Sequence, residues 1–154
     1  MTATDRGAHP VRMMVGIVIV LGIVLVGTRG CQRALRMQGR MKPGMTVVEV
    51  FHVAGEWNDW HCEMHPTEWS ANEPRITIGR GQNRFHYTFQ SPTESEQGSF
   101  SQDELATALL RRMGEGQPWR AVFQFSNPGR SVIFALTFDS NHRVSEVSSV
   151  RAMP

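Results

Sequence analysis

The sequence contains no H-E-x-x-H pair, no paired C-x-x-C, no phosphate-binding loop and no nucleophile elbow. These absences remove the zinc peptidases, the zinc ribbons, the P-loop hydrolases and the α/β-hydrolases as readings. No paired-carboxylate site stands out either, and Asp59 and Glu63 read as solvated charges. Cysteine is scarce, with only Cys31 and Cys62. Two cysteines cannot make a disulfide framework; they permit one bridge in an oxidising compartment, or two free thiols. The residues therefore indicate no enzyme, no cofactor and no small-molecule substrate.

Charge is unevenly placed. Residues 1–43 hold seven Arg and Lys against Asp5 alone, whereas residues 44–154 hold nine Arg against thirteen Asp and Glu. The folded part is thus acidic and lacks a basic stripe interleaved with aromatics, so nucleic acid is not expected as a partner.

What the chain does have is one long apolar run. Between Arg12 and Arg29 lie sixteen residues without a charge, MMVGIVIVLGIVLVGT. As a helix they span ~24 Å, short of the ~30 Å hydrocarbon core, though Arg12 and Arg29 can snorkel and a bilayer can thin. A signal peptide and a single-pass anchor both fit this length. The chain divides into a tail (1–12), this span (13–28), a basic juxtamembrane linker (29–43) and a small domain (44–154). Arg29, Arg33, Arg36, Arg40 and Lys42 follow the span directly, where they could meet anionic lipid headgroups at about 1 kcal/mol each. By charge count this arginine-rich flank favours the cytoplasm for the domain. Cys31 ends TRGC, in which Gly30 suits a lipoprotein signal while Arg29 and Thr28 do not.

Two helices are punctuated at both ends. In GMTVVEVFHVAG, Thr46 is the expected N-cap, Glu49 completes a capping box, Met45 staples onto Val50, and Gly55 is the stop in a left-handed conformation. Val47, Val50, Phe51 and Ala54 make its apolar face. FSQDELATALLRRMG repeats the grammar with Ser101, Glu104, Phe100 onto Leu105, and Gly114; its stripe is Leu105, Ala108, Leu109 and Met113.

Strands are expected around Phe85 to Phe89, Trp119 to Phe125 and Val132 to Phe138, with a weaker partner at Arg75 to Gly79 and a last strand near Val144 to Val150. Ser91 to Ser99 reads as a polar loop. The expected fold is α+β: an antiparallel sheet of about five strands with two short amphipathic helices on one face.

The densest chemistry lies in GEWNDWHCEMHPTEW, Gly55 to Trp69. As a loop over the sheet edge, its Trp57, Trp60 and Trp69 would pack onto the core or offer a contact surface. The rival is a metal-binding or redox-sensing module using His61, Cys62 and His65, with His52 or Met64 in reserve, but it has at most three good local ligands where tetrahedral zinc wants four. A Cys62 nucleophile with His61 or His86 is a weaker reading still, because adjacent residues such as His61 and Cys62 in an extended chain point to opposite faces. His86 and His142 read as surface residues.

Lys42 to Gly55, KPGMTVVEVFHVAG, and Leu136 to Val147, LTFDSNHRVSEV, resemble the opening motif and the closing strand pair of the SmpA/OmlA family, the BamE-like small bacterial envelope proteins. The resemblance implies a non-enzymatic domain at the envelope that contacts proteins or lipid, and it favours the periplasmic side. The combined expectation is a membrane-tethered adaptor or scaffold, its partners the membrane and other envelope proteins, working through an exposed sheet edge or the tryptophan-rich stretch.

Overall fold

A computed structural model describes residues 29–68, 70, 72–127 and 130–153, without the side chain of Asn127. The tail 1–12, the apolar run 13–28 and Trp69 lie outside these described residues. Among those described, no helix is long and apolar enough to cross a membrane.

The elements run α1 (29–40), α2 (Val47–Gly55), β1 (Trp60–Pro66), β2 (Arg75–Arg80), β3 (Phe85–Gln90), β4 (Ser95–Phe100), α3 (Gln102–Met113), β5 (Trp119–Asn127), β6 (Arg130–Phe138), β7 (Val144–Val147) and β8 (Arg151–Met153). The α+β class and the antiparallel sheet hold, but among the described residues the sheet has eight strands where about five were expected, and three helices lie on it where two short amphipathic ones were. The order is β4-β3-β2-β1-β5-β6-β7, with β8 beside β7 on the same edge of β6.

Both capping boxes form. The Thr46 and Ser101 hydroxyls accept from the Glu49 and Glu104 amides, and each glutamate reaches back to its cap's N–H at 2.7 Å. The expected apolar stripes of α2 and α3 are buried, with Val53 added in α2. Gly55 departs from expectation: it stays inside α2, and Glu56 caps the helix with φ −73°. Its lack of a side chain serves packing, since a Cβ there would lie 3.3 Å from the Phe85 ring and 2.5 Å from Gln102 Oε1.

The stretch read as a linker, 29–43, is mostly helix. Ala34, Met37 and Met41 recur at i, i+3 and i+7 and are buried in the common core, so apolar burial orders a segment whose arginines dominate its composition. The loop expected from Gly55 to Trp69 is likewise corrected. Its middle is β1, a central strand paired with β2 on one side and β5 on the other. Trp60, Cys62 and Met64 point into the core in alternation with His61, Glu63 and His65. The loop expected at Ser91 to Ser99 is a turn followed by β4, which pairs with β3 along six residues.

Each half of the chain has the same plan: a capped helix, a short link, a tryptophan at the head of a strand, then a meander. Trp60 opens β1 and Trp119 opens β5; their indoles donate to the ends of the preceding helices, at Ala54 O (2.9 Å) and Met113 O (2.8 Å). The halves join at the middle of the sheet, where Trp60 faces Phe125 and Trp119 faces Pro66 across the antiparallel β1/β5 pair. α2 and α3 pack on each other above this seam. All three helices contribute to one core on one side of the sheet.

Candidate functional site

The tryptophans divide by position. Trp60 is only 3% exposed and packs against Phe51, Phe85 and Phe123, so it is core and offers no contact surface. Trp57 is half-buried and leans on the same cluster.

Strand geometry separates the proposed metal ligands. Cys62 is fully buried on the helix side, while His61 and His65 lie on the opposite face of β1. His65 Nδ1 is 2.8 Å from its neighbour's carbonyl at Pro66. Among the described residues no three His, Cys, Asp or Glu side chains converge as metal ligands. Burial pushes the Cys62 thiol well above its usual pKa, with Glu63 adding to the rise, so the thiolate that metal binding or nucleophilic attack requires is disfavoured. Both cysteines are free thiols.

The basic residues fall on the exposed side of α1. Arg33 pairs with Asp59 at 3.4 Å, and Arg40 pairs with Glu56 through both guanidinium nitrogens. Gln38 donates to Ser148 O at 3.2 Å. These contacts fix α1 to the domain, while Arg29, Arg36 and Lys42 are exposed and make no ion pair among the described residues.

The face of the sheet away from the helices carries no covering layer among the described residues. Its side chains include His61, Glu63, Arg75, Arg120 and Gln124, with Glu63 and Arg75 paired at 3.1 Å. A cavity of about 400 Å³ lies there above Val122, Ile133 and Ala135, rimmed by Arg120, Arg151 and Glu146.

The second concave feature lies where α3 overhangs the outermost strand, β4. It is a groove of about 420 Å³ with Phe100 and Ala108 as its apolar surface and Asp103, Thr107, Arg111 and Glu96 around it. Its walls are held by charge. Arg112 donates to Glu94 and Glu96, Arg111 donates to Glu96 at 2.9 Å, and Arg84 bridges Ser99 and Glu104. These bonds hold the Glu94 and Glu96 carboxyls below their usual pKa, chiefly through Arg112. Phe100 lies back over Gly98, where a Cβ would sit 3.0 Å from its ring, and meets Tyr87 with centroids 5.0 Å apart. The groove has no signature in the sequence, because β4, SEQGSF, has no apolar alternation and its one large apolar residue, Phe100, also reads as the staple of α3.

No family model matches the chain, and no curated protein and no solved structure is significantly similar to it.

Proposed function

We propose that the chain is a membrane-tethered, non-enzymatic adaptor of the bacterial envelope, with the domain on the periplasmic side. The observation that carries this reading is the docking of α1. The helix follows the uncharged run 13–28 directly and is built into the domain by Ala34, Met37 and Met41 and by the Arg33 and Arg40 ion pairs. A tether joined in this way would hold the domain close to the bilayer and keep Arg29 and Arg36 at the headgroup level, where basic side chains gain about 1 kcal/mol each from anionic lipid.

The two stretches that resemble the BamE-like family also meet in space. The Gly44 N–H donates to Val144 O at 2.7 Å, the Val144 N–H donates to Met45 O at 2.8 Å, and Thr46 bridges Arg143. Gly44 has φ +90°, a backbone conformation that favours glycine. This contact supports the resemblance, since two motifs far apart in sequence form one structural unit. With Trp60 in the core, the exposed sheet edge is the working surface that the adaptor reading retains.

The test is fractionation of cells expressing the full chain, followed by protease treatment of spheroplasts. The adaptor reading expects the chain to stay in the pellet after an alkaline carbonate wash and the domain to be digested without permeabilisation. A soluble chain whose N-terminus maps near Arg29 by mass spectrometry overturns the tether, and a domain protected in spheroplasts overturns its side.

A further inference from the structure

Among the described residues, the outer edge of β4 is a row of backbone hydrogen-bonding groups that no strand pairs. The turn into β4 closes with the Ser91 N–H donating to Glu94 O at 2.8 Å, and bonded pairs in an antiparallel ladder recur at every second residue from such a pair. Phe89 faces Glu96, Tyr87 faces Gly98 and Phe85 faces Phe100. The backbone of Glu96, Gly98 and Phe100 therefore bonds to β3, and that of Ser95, Gln97 and Ser99 turns outward. Arg84 takes the Ser99 carbonyl at 2.6 Å, which leaves the groups of Ser95 and Gln97 and the Ser99 N–H.

Exposed edges of this kind are usually blunted by proline, lysine, a bulge or a covering segment. β4 contains no proline and no lysine, its register with β3 runs without a shift, and no described strand pairs with its outer side. The other end of the sheet is managed differently. There the edge is divided between β7 and β8, the β6/β7 register shifts at Thr137/Phe138, and residues 44–46 of the same chain cover the start of β7 at Val144.

Beyond the β4 edge lies the groove under α3. A strand added to β4 would sit about 4.8 Å farther out, and every second side chain would turn toward the α3 side, against Phe100 and Ala108. Charge fixes the chemistry further. The groove carries Glu96, Asp103 and Glu104 against Arg111, and Asp103 makes no ion pair among the described residues.

We infer that β4 and α3 form a peptide-binding site that accepts an extended segment of a partner protein by strand addition, with apolar residues at alternate positions and a lysine or arginine opposite Asp103. This rests on the adaptor reading and names its class of partner. Main-chain bonds supply affinity in this mode and the groove supplies selectivity.

The experiment selects twelve-residue peptides from a phage-displayed library on the full chain in detergent micelles, then measures the synthesised winners by fluorescence anisotropy. The winners should share apolar alternation and a basic residue. Gln97→Pro removes an outward N–H without touching the β3 ladder and should weaken binding at least tenfold, whereas Gln97→Ala should stay within twofold. Thr107→Arg, an exposed substitution that fills the groove and reverses its charge, should also weaken binding at least tenfold. Asp103→Asn should cost a few-fold, less at high salt.

Absence of enriched peptides overturns the inference, as does binding indifferent to both Gln97→Pro and Thr107→Arg. A dimer that Gln97→Pro converts to monomer also overturns it, because a second copy is then the occupant. A chain that sediments with membranes but enriches no peptide sinks strand addition alone; a soluble chain that still binds through β4 sinks the tether alone.

Discussion

The Trp60 indole N–H lies 2.9 Å from the Ala54 carbonyl, closing the end of α2 against the strand that follows it. The same nitrogen is 3.0 Å from Trp57 O. A buried helix terminus leaves carbonyls short of intrahelical partners; Ala54 O also accepts from the Trp57 N–H at 3.1 Å, and the core indole adds a second donor there. Trp119 does the same for Met113 in the second half. Replacing either tryptophan by phenylalanine removes the donor and part of a well-packed ring. Each of Trp60→Phe and Trp119→Phe should lower stability by about 2–3 kcal/mol, measured by urea denaturation of the full chain in detergent. A loss below about 0.5 kcal/mol would mean that the indole bonds add nothing to the helix ends.

The two thiols should separate cleanly by reactivity. Cys31 is partly exposed on α1, and Cys62 is fully buried with its pKa raised. Thiolate is the reactive form, so a maleimide at pH 7.5 should label Cys31 and leave Cys62 until the domain unfolds. Rapid labelling of Cys62 in the native chain would contradict its place in β1.

Acid should loosen the helix layer. Hydrogen bonds depress Glu49 and Glu104 within their capping boxes, Glu56 beside Arg40, and Glu94 and Glu96 beside Arg112, all from an ordinary value of 4.5. A carboxyl depressed in the folded state binds fewer protons there than in the unfolded chain over the window between its two pKa values, so stability rises with pH in that window. The contribution is complete above about pH 4.5 and disappears as pH falls through the folded values. These groups are exposed or nearly so, and solvent screening keeps each effect small. A urea midpoint that does not change between pH 6 and pH 3 would remove this account.

Tyr87 offers a substitution of the opposite kind. Among the described residues its buried hydroxyl makes no well-formed hydrogen bond, although the Arg112 guanidinium lies near it, and burial together with the Glu96 carboxylate pushes its pKa up to about 12. Removing an unsatisfied buried group is nearly neutral or favourable, so Tyr87→Phe should leave stability within about 1 kcal/mol of the parent, with the sign favouring phenylalanine. A phenol that titrates near pH 10 in ultraviolet difference spectra would show that the ring is not enclosed.

The sequence was most informative where local signals and core burial agree. Ser101 with Glu104, and the stripe Leu105, Ala108, Leu109 and Met113, marked α3 as it stands, and the alternation of Phe85, Tyr87 and Phe89 marked β3. β1 carried the same period-two signal in Trp60, Cys62 and Met64 against His61, Glu63 and His65, but the histidines, the cysteine and Pro66 drew it toward a loop or a ligand site. β4 had no such signal. An edge strand wet on one side needs little apolar alternation, and its place is set by pairing with β3. Across residues 29–43 the apolar positions Ala34, Met37 and Met41 are outweighed by the surrounding arginines, although a helix needs only one narrow stripe to dock. The α3/β4 groove depends on the sheet order, which local patterns do not encode.

The seam between β1 and β5 imposes an order on folding. Residues that face each other there, such as Trp60 and Phe125, are separated by more than half of the domain's length. While the ribosome is still making the second meander, the first has β1 as an open border, with Trp60, Cys62 and Met64 lacking part of their cover. Such distant pairing is slow to form and vulnerable to aggregation while it waits. The newborn chain thus has a sticky interval that ends once residues 119–125 pair with β1.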